Sequence, residues 1–228
     1  MEEHDFEWRY YNKDCSKADF CGNGAIVAAH YAYKHDLTCV SFADKRPGKI
    51  VRSKFSFRND KYLTKATIDN DGDIDISLPH SKIICKVPKI HNMDTYLIDT
   101  GVLHLVIVFD NIYNYGSFSN DNIVNAYKKW NKQVNVNIVY GHTDKSLKMD
   151  VKTFEKGVES ITKSCGSGIA ACYLALYANK PENEKYDFIR IVDYPNYNNK
   201  SVIGYYNDDN LLHLSTKPQY ISSFTIEE

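Results

Sequence analysis

Apolar and polar residues alternate along most of this chain in runs of strand length, and three stretches depart from that alternation toward a helical spacing. Phe6, Trp8 and Tyr10 alternate with polar neighbours and predict a half-buried strand. Strand-like runs follow over 38–42, 50–57, 63–68, 74–78 and 83–87, with Asn59-Asp60 and Asn70-Asp71-Gly72 as turn signals. Further runs over 96–99, 104–109, 134–140, 147–154, 188–192, 201–205, 211–215 and 220–226 predict more strands. The helical stretches are 23–34, 120–132 and 167–178. The middle one is amphipathic, with Ile123, Val124, Tyr127 and Trp130 on one face. The outer two are apolar almost all round, through Ala25, Ile26, Val27, Ala28, Ala29 and Tyr31 in the first, so both are expected to be wrapped by protein.

These two outer helices open on the same device. Phe20-Cys21-Gly22-Asn23-Gly24 precedes the first and Ser164-Cys165-Gly166-Ser167-Gly168 the second. Aligned on the cysteines, Cys, Gly, Gly and a later tyrosine (Tyr33, Tyr177) coincide. The order strand, cysteine loop, helix, strands therefore occurs twice. It predicts an α+β architecture of two similar halves, each a curved, mostly antiparallel sheet around a central helix, with an active site between them. The expected division is 1–93 and 94–216, with the linker near His91–Asp94 and a last strand, 217–228, packing back on the first half.

Composition narrows the function classes. The net charge of −1 on 228 residues gives no electrostatic drive toward nucleic acid or an anionic membrane. No apolar run approaches the roughly 18 residues that span a bilayer. The start Met1-Glu2-Glu3-His4-Asp5 has neither the basic nor the apolar part of a secretory signal, so a cytoplasmic location is expected. Six cysteines in a reducing compartment should be free thiols, and the absence of a CxxC pair argues against a zinc knuckle. Cys15, Cys39, Cys85 and Cys172 read as packing or surface thiols, and a run such as Lys180–Lys185 as a solvated loop.

The chemistry resides in the twin loops. A helix start offers unpaired N–H groups and the positive end of the dipole, which bind carboxylates and should lower a thiol's pKa. Glycines after the cysteine let the backbone approach a ligand. If the loops face each other, a substrate carboxylate lies against both helix ends with a sulfur on each side of the neighbouring carbon. One thiolate removes the α-proton, the opposite thiol returns another, and the configuration inverts without a cofactor or a metal.

At these residues the chain resembles the diaminopimelate epimerase family, whose members racemise without a cofactor. Asn12-Lys13-Asp14-Cys15-Ser16 stands where the family has Asn-x-Asp-Gly-Ser before Cys-Gly-Asn-Gly. Glu155-Lys156-Gly157-Val158 matches a Glu-Arg-Gly-Val segment before the second cysteine loop. Asn135-Val136-Asn137-Ile138 matches an Asn-Val-Asn-Phe-like strand, and Gly101-Val102-Leu103-His104 a Gly-Asn-Pro-His motif. The resemblance implies Cys21 and Cys165 as the two acid/base residues. It implies Gly22, Asn23, Gly166 and Ser167 as carboxylate holders, Asn12, Asn137 and Lys156 as contacts to the far end of the substrate, and Glu155 as a partner for an ammonium. His104 would shape the site, although a lone histidine in an apolar strand also reads as a bonded core residue. It further implies LL- and meso-diaminopimelate as the substrate pair, lysine biosynthesis as the pathway, and a homodimer, as is common in the family.

The departures are specific. No Gly-x-Gly-Asn-Asp-Phe segment precedes Asp5, so the chain is expected to lack about 50 to 60 residues of a roughly 270-residue family fold. Cys15 replaces the turn glycine, Ile26 an arginine, Leu103 the proline, and Lys156 an arginine able to grip a carboxylate with two parallel bonds. Val102 removes another polar group. Two further readings stay open: the same chemistry on another amino acid, and a truncated, non-catalytic remnant or partner subunit.

Overall fold

A computed structural model of the chain describes residues 4–12, 15–38, 45–46, 49–69, 71–130, 133–142, 148–162, 165–179, 189–194, 199–205 and 211–218. Lys13, Asp14, Cys39, Ser164, Lys180–Lys185, the expected strand 220–226, and nearly all of the segments expected at 38–42 and 217–228 lie outside them.

The chain opens with β1 (Phe6–Glu7), then α1 (Gly22–Lys34), β2 (Lys45–Arg46), β3 (Lys49–Arg58), β4 (Leu63–Asp69) and β5 (Ile74–Ser77). Alternation sets the facing of these strands. Phe55, Phe57, Ala66, Ile68, Ile74 and Ile76 enter the core while Lys54 and Lys65 point out. The turn signals act through side chains: Asn59 Oδ1 accepts from the backbone N–H of Lys61 (2.9 Å) and Tyr62 (2.8 Å). Asp69 Oδ1 does the same for Asp71 and Asp73 around Gly72, whose φ is +80°.

The chain then crosses into a second sheet through Leu78–Ser81. This sheet holds β6 (Lys82–Ile90), β7 (Met93–Asp99), β8 (Leu103–Phe109), β9 (Asn135–Gly141), β10 (Met149–Glu155) and β11 (Ser160–Thr162). Its order is β11-β10-β9-β8-β7-β6. The division expected near His91–Asp94 falls at the tip of the β6–β7 hairpin, where His91 (φ 50°) and Asn92 (φ 65°) make the turn. β8 and β9 are parallel, joined through α2 (Ile112–Ser117) and α3 (Asn120–Lys129).

After α4 (Gly166–Ala178) the chain returns to the first sheet as β12 (Ile189–Tyr194), β13 (Asn199–Tyr205) and β14 (Leu212–Thr216). β14 pairs antiparallel with β5 and closes the first sheet in the order β1-β3-β4-β5-β14-β13-β12. The α+β class read from the sequence holds, with two mostly antiparallel sheets and the buried helix α4 packed between them.

The core centres on α4. Ile169, Cys172 and Tyr173 pack against Ile76, Ile203 and Leu214 of the first sheet and against Ile98, Val106 and Val139 of the second. The opposite face of the second sheet carries Leu105, Ile107, Val136 and Ile138 against Ile123 and Tyr127 of α3. The two cysteine-led helices differ in burial. All residues from Gly166 to Ala175 of α4 are buried, as expected. α1 is not wrapped: Val27 is 62% exposed and Tyr31 57%. Among the described residues it packs on β5 and on α4 through Ala25, Ile26, Ala29 and Ala32, which share one face, and the opposite face meets solvent. α2 and β11 were not anticipated. The expected opening strand is shorter than its alternation suggests, since only Phe6–Glu7 pairs as β1.

Candidate active site

Each cysteine is the N-cap of its helix, with nearly the same backbone: φ −143°, ψ 112° at Cys21 and φ −133°, ψ 106° at Cys165. Each sulfur accepts a hydrogen bond from the N–H three residues on, Gly24 for Cys21 and Gly168 for Cys165, both at 3.3 Å. Serine, threonine, aspartate and asparagine are the favoured residues here, so cysteine twice is a weak choice of cap. Helix stability alone does not explain it.

Glycine brings the two caps together. A Cβ on Gly22 would sit 3.2 Å from Gly166 Cα and 3.4 Å from the Ser167 nitrogen. A Cβ on Gly166 would sit 3.2 Å from Gly22 Cα and 3.0 Å from Leu214 Cδ2. The first turns of α1 and α4 thus meet backbone to backbone, and the N-cap sulfurs precede that contact on both sides. Their proximity is felt electrostatically: charge on Cys21 raises the pKa of Cys165, and charge on either sulfur raises that of Tyr10.

The sulfurs are not equivalent. Cys165 is buried, with Ser167 Oγ 3.4 Å from its Sγ, and burial, reinforced by Glu155, pushes its thiol up to about 12 against the opposing Ser167 and Gly168 hydrogen bonds. Cys21 is partly exposed. Burial raises its pKa as well, while bonds from Gly24, the Tyr10 hydroxyl and the Asn23 N–H work the other way. The expectation that the helix ends lower both thiols is therefore corrected. The N–H groups act in that direction, but desolvation of the thiolate outweighs them. Both cysteines are free thiols, as are Cys15, Cys85 and Cys172.

The remaining predicted residues occupy distinct places. Glu155 ends β10, accepts a hydrogen bond from the Thr162 hydroxyl, and its charge reaches Cys21, Cys165 and Tyr10. Asn137 is fully buried beneath the second loop: its Oδ1 accepts from Thr153 Oγ1 at 2.7 Å and its Nδ2 is 2.8 Å from His104 Nδ1. A Cβ on Gly168 would fall 2.6 Å from Asn137 Oδ1 and 2.8 Å from Thr153 Oγ1, so this polar floor requires glycine there. His104 is also fully buried, and desolvation drives its pKa down to about 3, leaving a neutral ring. Lys156 is exposed, and its N–H donates to Asn135 Oδ1 at 2.8 Å. Asn12 is engaged in its own turn, bonding Ser16 through backbone (2.8 Å) and side chain (3.0 Å). In that turn Cys15 adopts φ 64°, the conformation that suits the glycine it replaces. Asn23 is exposed, while Gly22, Gly166 and Ser167 are buried. Gly101, at φ +90°, packs against Pro79 and Phe20, which sets the turn before His104 against the first cysteine loop.

Sequence reasoning missed Tyr10, Thr153 and Thr162. The alternation of Phe6, Trp8 and Tyr10 was a usable signal, since it puts all three side chains on one face of the segment leading to the first loop. Thr153 lies opposite Asn137 in the β9–β10 register, which no local pattern reveals. Among the described residues there is no group of three His, Cys, Asp or Glu side chains arranged for a metal ion. No helix among them is long and apolar enough to cross a membrane.

Comparison with known proteins gives a consistent picture. No protein-family model matches the chain. The diaminopimelate epimerase of Nitratiruptor sp. is 31% identical over 174 residues, covering 76% of this chain and 61% of that protein. The diaminopimelate epimerase of Campylobacter jejuni strain RM1221 is 32% identical over 184 residues, covering 81% and 66%. The chain thus spans a little under two thirds of the length of the relatives it matches. Among solved structures, a hydroxyproline epimerase from Agrobacterium vitis with bound trans-4-hydroxy-L-proline aligns with TM-score 0.59 at 12% identity, covering 92% of this chain and 66% of that one. A phenazine biosynthesis protein of the PhzF family from Bacillus anthracis aligns with TM-score 0.60 at 12% identity, covering 92% and 76%. At that identity the two structures speak to the fold.

Proposed function

Since the chain belongs to the diaminopimelate epimerase family, we propose that it is a cofactor-independent amino-acid epimerase that interconverts LL- and meso-diaminopimelate in lysine biosynthesis. The observation that carries this reading is the pair of cysteine N-caps on helices whose first turns touch at Gly22 and Gly166.

In this reading the substrate carboxylate lies against the first turns at Gly22, Asn23, Gly166 and Ser167, at the positive ends of the two helix dipoles. The α-carbon then has Cys21 on one side and Cys165 on the other. One sulfur, as thiolate, takes the α-proton. The electron pair left on carbon spreads into the carboxylate, where the helix ends stabilise it. The opposite thiol delivers its proton to the other face, and the two sulfurs exchange protonation states. Glu155 receives the ammonium of the substrate. That pairing neutralises the charge which raises both thiols, so binding itself favours the thiolate. Asn12 and Lys156 serve the far end of the substrate. Asn137, with one N–H on His104 and its oxygen on Thr153, keeps a second N–H for that end and holds the floor under Gly168. His104 fixes Asn137 as a neutral ring. A soluble amino acid is the partner in this scheme, with a second copy of the chain as the family's usual companion.

Lysine at position 156 and valine at 102 favour a second reading, the same chemistry on another amino acid. Incubation with LL-diaminopimelate and with single amino acids in deuterated water tests both. Deuterium at the α-carbon of diaminopimelate, lost in Cys21→Ser and in Cys165→Ser, is the expected result. Deuterium entering only a single amino acid selects the second reading. Exchange indifferent to both substitutions, or none with any substrate, refutes the enzyme and leaves the non-catalytic subunit.

A further inference from the structure

The two cysteine loops are held in different ways. Behind Cys165, α4 is buried from Gly166 to Ala175, and that packing fixes the start of the helix. Behind Cys21, α1 is packed on one face among the described residues, and Val27 and Tyr31 meet solvent. The chain entering Cys21 is held from outside the helix, by the turn between β3 and β4. Asn59 in that turn donates an Nδ2–H to the carbonyl of Asp19, two residues before the cysteine, at 2.8 Å. Phe20, the residue between, is buried, with its ring edge-on to Tyr62 (centroids 6.1 Å apart, 90°) and to Trp8 (6.3 Å, 84°). Two ion pairs cross the same gap, Lys61 Nζ to Asp19 Oδ2 at 2.7 Å and Lys17 to Asp60. All four of these side chains are exposed, and pairs of that kind contribute little.

Asn59 serves both ends of this contact. Its Oδ1 accepts from the Lys61 and Tyr62 amides, which shapes the turn, while its Nδ2 reaches across to the cysteine loop. An aspartate would shape such a turn as well, but a carboxylate has no hydrogen to donate to Asp19 O.

We propose that Asn59 is a positioning residue that fixes the chain entering the Cys21 cap, and through it the place of the Cys21 sulfur opposite Cys165. This deepens the two-base reading above and rests on it for its catalytic consequence. The residue before an N-cap sets the angle at which the chain enters the helix. Here that residue is Phe20, held by the rings of Trp8 and Tyr62, and Asn59 fixes the peptide on its other side. A rotation at Asp19 or Phe20 would carry the sulfur with it, and the open face of α1 offers no packing to resist that movement.

The test is amide hydrogen exchange, resolved to single residues, in the wild type, Asn59→Asp and Asn59→Ser. Both substitutions keep an oxygen for the Lys61 and Tyr62 amides. Neither can donate to Asp19 O, since aspartate has no hydrogen there and the serine hydroxyl is too short to reach. The amides read are those of Gly24 and Ala25, bonded to the Cys21 sulfur and carbonyl. Those of Gly168 and Ile169, bonded in the same way at Cys165, are the internal reference. The expected result is roughly threefold to tenfold faster exchange at Gly24 and Ala25 in both variants, the size of one lost hydrogen bond, with Gly168 and Ile169 unchanged. Unchanged exchange at Gly24 and Ala25, acceleration shared by Gly168 and Ile169, or acceleration in the aspartate variant alone overturns the proposal. The measurement needs no substrate, so it is separate from the fate of the epimerase reading. A loosened first loop in a protein that exchanges deuterium into no amino acid would uphold the anchoring by Asn59 while the epimerase reading fell. In an active enzyme both variants should lower kcat by about tenfold and change KM less, because the displaced group carries the proton. A raised KM at unchanged kcat overturns the positioning role.

Discussion

Replacing Gly22 with alanine sets two effects of known size against each other. Alanine in a helix is favoured over glycine by about 1 kcal/mol, which would stabilise α1. The new Cβ, however, meets Gly166 Cα at 3.2 Å, Gly166 C at 3.3 Å and the Ser167 nitrogen at 3.4 Å. Comfortable carbon contacts lie at about 3.5–4.0 Å. All three opposing atoms are backbone at a helix start, so none can rotate away. The helix ends must part by roughly 0.3–0.5 Å, and overpacking of this kind costs about 1–3 kcal/mol. The sum is a loss of about 0–2 kcal/mol, a fall in Tm of at most roughly 8 °C for a chain of this size. Function should suffer more, because the same separation displaces the sulfurs, and a 1 Å misplacement costs on the order of 100-fold. A fraction of that displacement predicts about tenfold slower α-deuterium exchange. Gly116→Ala, in α2 with nothing within 4 Å of its new Cβ, is the control and should gain about 0.5–1 kcal/mol. Thermal or urea unfolding supplies the stabilities, and exchange in deuterated water the rate. A Gly22→Ala protein stabilised as much as Gly116→Ala, with full exchange, would refute the close approach of the two helix ends.

Burial holds His104 neutral in the fold, with its pKa at about 3 against 6.5 when unfolded. Below the unfolded value the unfolded chain binds a proton that the fold refuses, so stability falls as pH drops from about 6.5 toward 3, by about 1.4 kcal/mol per unit. Urea midpoints at pH 7, 5 and 4 should show a shallower decline in His104→Gln than in the wild type, and equal slopes would contradict the assignment. Cys15→Gly should raise stability by about 1 kcal/mol, since glycine adopts φ 64° without the steric cost that cysteine bears; a lower unfolding midpoint would show that the Cys15 side chain contributes more than its backbone costs. The losses of deuterium exchange expected of Cys21→Ser and Cys165→Ser complete the set.

Much of the candidate site was legible because its devices are local. A cysteine at a helix start followed by two glycines is a motif of five residues, and its repetition needs no knowledge of the fold. The opposed faces of β4 and β5, and the turns at Asn59 and Gly72, follow from alternation and side-chain chemistry within a few residues. What was not legible is non-local. Asp75 and His213, bonded at 2.6 Å, are 138 residues apart, and nothing in either segment names the other. Val27 and Tyr31 are apolar, yet they face solvent, because helix burial is decided by which strands lie over the helix.

The sequence alone determined the elements, the twin loops and the residue types they present, since backbone propensity, alternation and capping act over a few positions. Tertiary structure decided that Gly22 meets Gly166, that Asn137 lies under Gly168 within a bonded floor, and that the Tyr10 ring lies on Gly24. It also decided the sign of both cysteine pKa shifts. Helix ends favour a thiolate in any sequence, but the water removed from around a sulfur depends on every chain segment packed over it, and here that loss is the larger effect.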